Sequence, residues 1–119
     1  MEKTYRIGQL AAQAYLAESG HRKVEVGGYG CTEGEADIVC EGPEGVTLVF
    51  VTAKRRRKDT GLEPSYSGKR LQRIAMCYLV DNPSTERLSC DVLCVLIGSG
   101  GTVTVSCTEG AYVWEREAF

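Results

Sequence analysis

The chain has 119 residues, 43% of them apolar and 25% charged, with a formal net charge of −2, which suits one globular domain of about 100–150 residues. It contains no run of about 18 apolar residues, and its first residues lack the apolar core of a secretion signal. These features argue against a helical membrane span and an exported protein; the expectation is a single soluble, cytoplasmic domain over residues 1–119.

In chain order, Ile7, Leu10, Ala11, Ala14 and Tyr15 recur at helical spacing, predicting an amphipathic helix over 4–19 that stops at Gly20. Residues 23–26 alternate as a short strand, ended by Gly27-Gly28-Tyr29-Gly30, and residues 35–40 form a second strand. Gly42-Pro43-Glu44-Gly45 is a turn, and residues 46–53 are the most apolar stretch, a central strand buried on both faces. Residues 55–65 are polar and carry Gly61 and Pro64, so a loop is expected. A helix over 69–80 turns Leu71, Ile74, Ala75 and Tyr78 inward and Lys69, Arg70 and Arg73 outward. Asn82-Pro83-Ser84 breaks the chain. A buried strand over 91–97, a hairpin turn at 98–101, a returning strand over 102–107 and a short element over 111–114 complete it. The order α-β-β-β-α-β-β implies a mixed β-sheet flanked by helices.

Six cysteines (Cys31, Cys40, Cys77, Cys90, Cys94 and Cys107) include no C-x-x-C pair, and the sole histidine is His21. That spacing argues against a zinc site, and reduced thiols are expected in the cytosol. His21 follows Gly20 at a helix end, where an exposed cap partner is the ordinary role. The glycines at 98, 100 and 101 lead into a strand rather than a helix, so they are turn residues and not a phosphate loop.

The charge is unevenly spread. Residues 54–73 hold Lys54, Arg55, Arg56, Arg57, Lys58, Lys69, Arg70 and Arg73 against Asp59 and Glu63, while the remainder carries six basic and fourteen acidic residues. An acidic chain with one basic segment directs a field toward a polyanion at one place. A phosphate backbone would draw on Arg55, Arg56, Arg57, Lys58, Lys69, Arg70 and Arg73 without base specificity.

Beside that segment, Gly34-Glu35-Ala36-Asp37 is followed at the end of the next strand by Phe50-Val51-Thr52-Ala53-Lys54. Alternation puts Glu35 and Asp37 on one face of their strand, and Thr52 and Lys54 on one face of theirs. If the two strands pair, Asp37 lies beside Thr52 and Lys54. A carboxylate that holds Mg²⁺ and a lysine that meets charge building on phosphorus suit phosphodiester cleavage. A salt bridge at a strand end is an equally common reason for such a pair.

These segments resemble the YraN-like family of uncharacterised bacterial proteins, a branch of the restriction-endonuclease-like PD-(D/E)XK superfamily. Gly8-Gln9-x-x-Ala12-x-x-Tyr15-Leu16 is similar to the family's opening helix, G-E-x-x-A-x-x-Y-L. Gly34 to Asp37 is similar to G-E-I-D, and Leu48 to Lys54 to L-V-F-V-E-V-K. The helix led by Lys69, the Asp91-Val92 pair and the ending Ala118-Phe119 also match. The resemblance implies a restriction-endonuclease-like three-layer domain with Gln9, Glu35, Asp37, Thr52 and Lys54 at its catalytic positions. It also implies Mg²⁺ or Mn²⁺ at Asp37. The family has glutamate where this chain has Gln9 and Thr52, and the second of these is the superfamily's other metal ligand; Glu35 or Glu33 would have to replace it. The expectation is DNA binding by a nuclease fold with a degenerate metal site. The alternatives are a weak Mg²⁺- or Mn²⁺-dependent endonuclease using Asp37, Lys54 and a relocated carboxylate, and a protein-interaction domain.

Overall fold

The computed structural model describes residues 3–19, 23–42, 45–55 and 67–117, with the side chains of 23–27 left aside. Its elements are α1 (Lys3–Glu18), β1 (Lys23–Cys31), β2 (Gly34–Gly42), β3 (Gly45–Arg55), α2 (Gly68–Asp81), β4 (Arg87–Ile97) and β5 (Val103–Glu115). The five strands form one sheet in sequence order. β1, β2 and β3 run as an antiparallel meander, β3 pairs with β4 in parallel, and β4 with β5 antiparallel. The parallel step requires a crossover, which α2 supplies. The expected order and mixed sheet are therefore present.

The helices cover opposite faces. Leu71, Ile74 and Ala75 of α2 are buried with Ala36, Val39, Leu48, Phe50, Leu88, Cys90 and Val92. On the other face Ala12 and Leu16 of α1 are buried with Ile38, Cys40, Val49 and Leu93. Each large apolar side chain buried this way contributes about 1.5–3 kcal/mol before entropy is subtracted. β3 feeds both layers, so its apolar run is continuous instead of alternating with polar residues.

α2 buries the apolar positions expected of it. α1 does not: its buried stripe is Gly8, Ala12 and Leu16, while Leu10 is 66% exposed. The helix turns its smallest residues to the sheet, because close approach of its backbone is needed there. A Cβ placed on Gly8 would stand only 2.5 Å from that of Ala53 on β3.

All five strands outrun the expected limits; β2 spans Gly34–Gly42 and β4 starts at Arg87, four residues early. β1 continues through its glycines to Cys31, with a register shift between Val26 and Tyr29. Gly28 takes φ +62°, and a side chain there would collide with the Ala36 carbonyl; the glycines make a bulge inside the strand instead of ending it. β3 runs on through Lys54 and Arg55 because β4 pairs with it that far, Arg55 opposite Ile97. The expected loop therefore begins later, and 56–66 lies outside the described residues. The two expected pieces at 102–107 and 111–114 are one strand, β5. Its register shifts opposite Asp91, whose Oδ1 accepts from the Gly110 N–H (2.9 Å) and the Ser89 hydroxyl (3.0 Å). A buried carboxylate thus satisfies the bulge that seemed a break. The six cysteines are free thiols.

Candidate functional site around Asp37

β2 and β3 pair from Gly42–Gly45 up to Ile38–Val49, and the ladder stops there. Asp37 is the next residue, and its side chain fills the gap where the strands part. Its Oδ2 accepts the Val51 backbone N–H at 2.7 Å, replacing the lost ladder bond. Its Oδ1 accepts from Gln9 Nε2 at 3.2 Å and lies 3.5 Å from the Tyr5 hydroxyl. Tyr5 and Gln9 stand four residues apart on α1, so one helix face presents both. Gly8, seated against Ala53, sets the height of that face.

Burial raises the Asp37 carboxyl above its ordinary value, and the neighbouring Glu35 adds to this; the bonds from Val51, Gln9 and Tyr5 oppose it. Burial likewise raises the Tyr5 phenol, with the Asp37 charge and hydrogen bond next in size.

Glu35 and Asp37 share a face, as expected: Ala36 between them belongs to the α2 layer, and Asp37 is held by α1. Thr52 and Lys54 are on the other face. The β3–β4 ladder is unbroken from Val46 to Arg55, so alternation holds along it. Val49 and Val51 pack in the α1 layer and Ala53 meets Gly8, whereas Leu48 and Phe50 pack in the α2 layer. Thr52 and Lys54 therefore leave β3 on the α2 side. The meander brings the acid and the amine to the same end of the sheet but projects them from opposite faces, and no ion pair joins them among the described residues. The expectation that Asp37 lies beside Thr52 and Lys54 is corrected accordingly.

The metal implied by the sequence resemblance fits these residues poorly. Both Asp37 oxygens already accept hydrogen bonds, and Thr52 faces away. The described residues contain no group of three His, Cys, Asp or Glu able to hold an ion. Mg²⁺ demands near-octahedral oxygen ligands, and each Asp37 oxygen has only its remaining lone pair to offer one. In this arrangement the Asp37 carboxylate closes the split between β2 and β3. Replacing it by alanine strands the Val51 N–H and should cost about 1–3 kcal/mol. Asparagine retains an acceptor and should cost far less. The folded-state carboxyl titrates above its unfolded counterpart, so its contribution is most favourable below about 3.9 and is lost as pH rises through the folded value. Denaturant melts across that interval should show wild type gaining on Asp37→Asn as the solution is acidified; the opposite trend would refute the assignment.

The basic residues divide in the same way as the faces. Arg55 leaves β3 on the α1 side, where its Nε donates to the Thr4 hydroxyl at 3.1 Å. Lys69, Arg70 and Arg73 are exposed on α2. A Cβ on Gly34, at the start of β2, would meet Ile74 and the Arg70 guanidinium at 2.9–3.1 Å. Because β2 is antiparallel to β3, the start of β2 lies at the end of β3. Lys54, Lys69, Arg70 and Arg73 thus share one end and one face of the sheet. Among the described residues none of the four is in an ion pair; the pairs present there are Arg87–Glu115 and Arg116–Glu86. Arg56, Arg57 and Lys58 lie outside the described residues. Sequence reasoning missed Tyr5 and the Val51 N–H as partners of Asp37; the four-residue spacing of Tyr5 and Gln9 was the available signal.

The chain is thus a mixed α/β domain with a carboxylate locked into the split of its sheet and a basic rim on the α2 side. Its sequence matches the uncharacterised protein family UPF0102 over residues 8–95, and it belongs to that family. A UPF0102 protein of Syntrophus aciditrophicus is 39% identical over 91 residues, covering 72% of this chain and 66% of the relative's length. One from Chloroflexus aurantiacus is 32% identical over 101 residues, covering 82% and 81%, and one from Moorella thermoacetica is 40% identical over 79 residues, covering 62% and 63%. No helix among the described residues is long and apolar enough to cross a membrane.

Proposed function

We propose that this protein is a nucleic-acid-binding domain of restriction-endonuclease-like architecture that grips a phosphate backbone without cutting it. The observation that carries the reading is the set of four cations, Lys54, Lys69, Arg70 and Arg73, gathered on one end and face with no ion pair among the described residues. Unpaired cations in a cluster repel one another, and a polyanion relieves that repulsion while releasing its own counterions. α2 sharpens the point. Its first turn contains no acid, and Lys69 and Arg70 sit at the positive end of the helix dipole, where cations are disfavoured.

The non-cleaving part of the reading is supported by Asp37, whose oxygens accept hydrogen bonds from Val51 and α1. The test is binding of labelled duplex and four-way-junction DNA by fluorescence anisotropy at two salt concentrations. Affinity should fall steeply with salt and differ little between sequences. Absent or salt-insensitive binding would overturn the reading. Mn²⁺-dependent nicking of supercoiled DNA that disappears in Asp37→Ala would overturn its non-catalytic part.

A further inference from the structure

The β1–β2 hairpin and α2 meet along a stripe that runs beside the cations of the nucleic-acid reading. Tyr29 of β1 stacks edge-on against Tyr78 of α2, ring centroids 5.2 Å apart, and its hydroxyl donates to Asp81 at 2.6 Å. At the other end of the stripe Gly34 meets Ile74 and Arg70. Between these contacts lie Cys31, which pairs with Gly34 across the hairpin, and Cys77, one position before Tyr78 on the helix. The flanking contacts, Tyr29 on Tyr78 and Gly34 beside Ile74, bring the two thiols to the same stretch of the hairpin–helix seam. Both are partly exposed, whereas Cys40, Cys90 and Cys94 are buried. Cys77 also lines a cavity of about 560 Å³ with Glu33, Lys69, Gln72, Arg73 and Met76.

We propose that Cys31 and Cys77 are a redox-active pair, oxidised by an anionic low-molecular-weight disulfide to an intramolecular disulfide that staples the β1–β2 hairpin to α2. The cavity gives the reagent access to Cys77, and Lys69 and Arg73 outnumber Glu33 on its wall, which favours an anion. The Cys77 thiolate attacks one sulfur of the reagent, forming a mixed disulfide and expelling the first small thiol. The Cys31 thiolate then attacks the Cys77 sulfur and expels the second. The protein loses two electrons and two protons, and the reagent is reduced to two thiols. The adjoining Cys31 thiol, with burial next, raises the Cys77 thiol above its ordinary value, so the reaction should quicken with rising pH. Burial pushes the Cys40 and Cys90 thiols up to about 11 and about 12; being sealed as well, they should stay reduced.

The full chain, reduced and then treated with oxidised glutathione, tests this by intact mass and by peptide mapping after alkylation. The expected product has lost two hydrogens, carries a Cys31–Cys77 linked peptide and unfolds at a higher temperature until reductant is added. Cys31→Ser should instead stop at a glutathione adduct on Cys77. Persistent adducts on the unaltered protein, linkage through another cysteine, or no oxidation where a control dithiol peptide is oxidised would each overturn the proposal. A linked product that melts lower than the reduced protein would overturn the staple.

Discussion

Reversing three charges together, Lys69→Glu, Arg70→Glu and Arg73→Glu, should abolish most salt-sensitive nucleic-acid affinity while leaving the fold intact. If each of Lys54, Lys69, Arg70 and Arg73 contacts a phosphate, the slope of log K against log salt is about −0.9 for each. Those four alone then weaken binding about 150-fold between roughly 50 and 200 mM salt, and Lys54 by itself only about 4-fold. The triple variant should therefore flatten the slope by about 2.7 units. Two of the three new acids fall in the first turn of α2, where the helix dipole favours them by about 0.3–1 kcal/mol each. The three positions are exposed and free of ion pairs among the described residues, so thermal stability should hold or rise. Lost binding with unchanged melting separates a ledge for phosphates from general damage. An unchanged slope would remove α2 from the interface.

Most of the fold was legible because its signals are local and strong. The stripe of Leu71, Ile74 and Ala75 is buried where helical spacing places it, and the doubly apolar β3 occupies the middle of the sheet. What failed depended on partners distant in sequence. Gly27 to Gly30 read as a terminator, yet Gly28 allows a bulge that only the pairing with β2 makes worthwhile. Thr108 to Gly110 read as a gap, yet Asp91 on another strand accepts the Gly110 N–H and keeps β5 whole. The candidate site shows the same limit. Spacing put Glu35 with Asp37 and Thr52 with Lys54, and both pairings hold within their strands. Which face each pair occupies depends on where α1 and α2 dock, and no pattern within either strand encodes that.

The docking of α1 makes Gly8 the position where substitution should harm stability most. A Cβ there would stand 2.5 Å from Ala53 Cβ, a rigid atom on a central strand, and 3.8 Å from Val51 Cγ1. Alanine regains about 1 kcal/mol of helix propensity and so partly masks the clash. Valine adds two further carbons, and Gly8→Val should cost at least about 3 kcal/mol, the upper range for overpacking. Lifting α1 also withdraws Gln9 and Tyr5 from Asp37, leaving a half-buried carboxylate with the Val51 N–H alone. A double-mutant cycle separates the two consequences. Ala53→Gly removes the opposing Cβ and should restore part of the stability lost in Gly8→Val, giving a coupling energy of about 0.5–3 kcal/mol. The cycle should be read by urea unfolding with the slope held constant across the four proteins. Strictly additive effects would mean that α1 does not rest on β3 at this point, and the account of how Gln9 and Tyr5 reach Asp37 would fall with it.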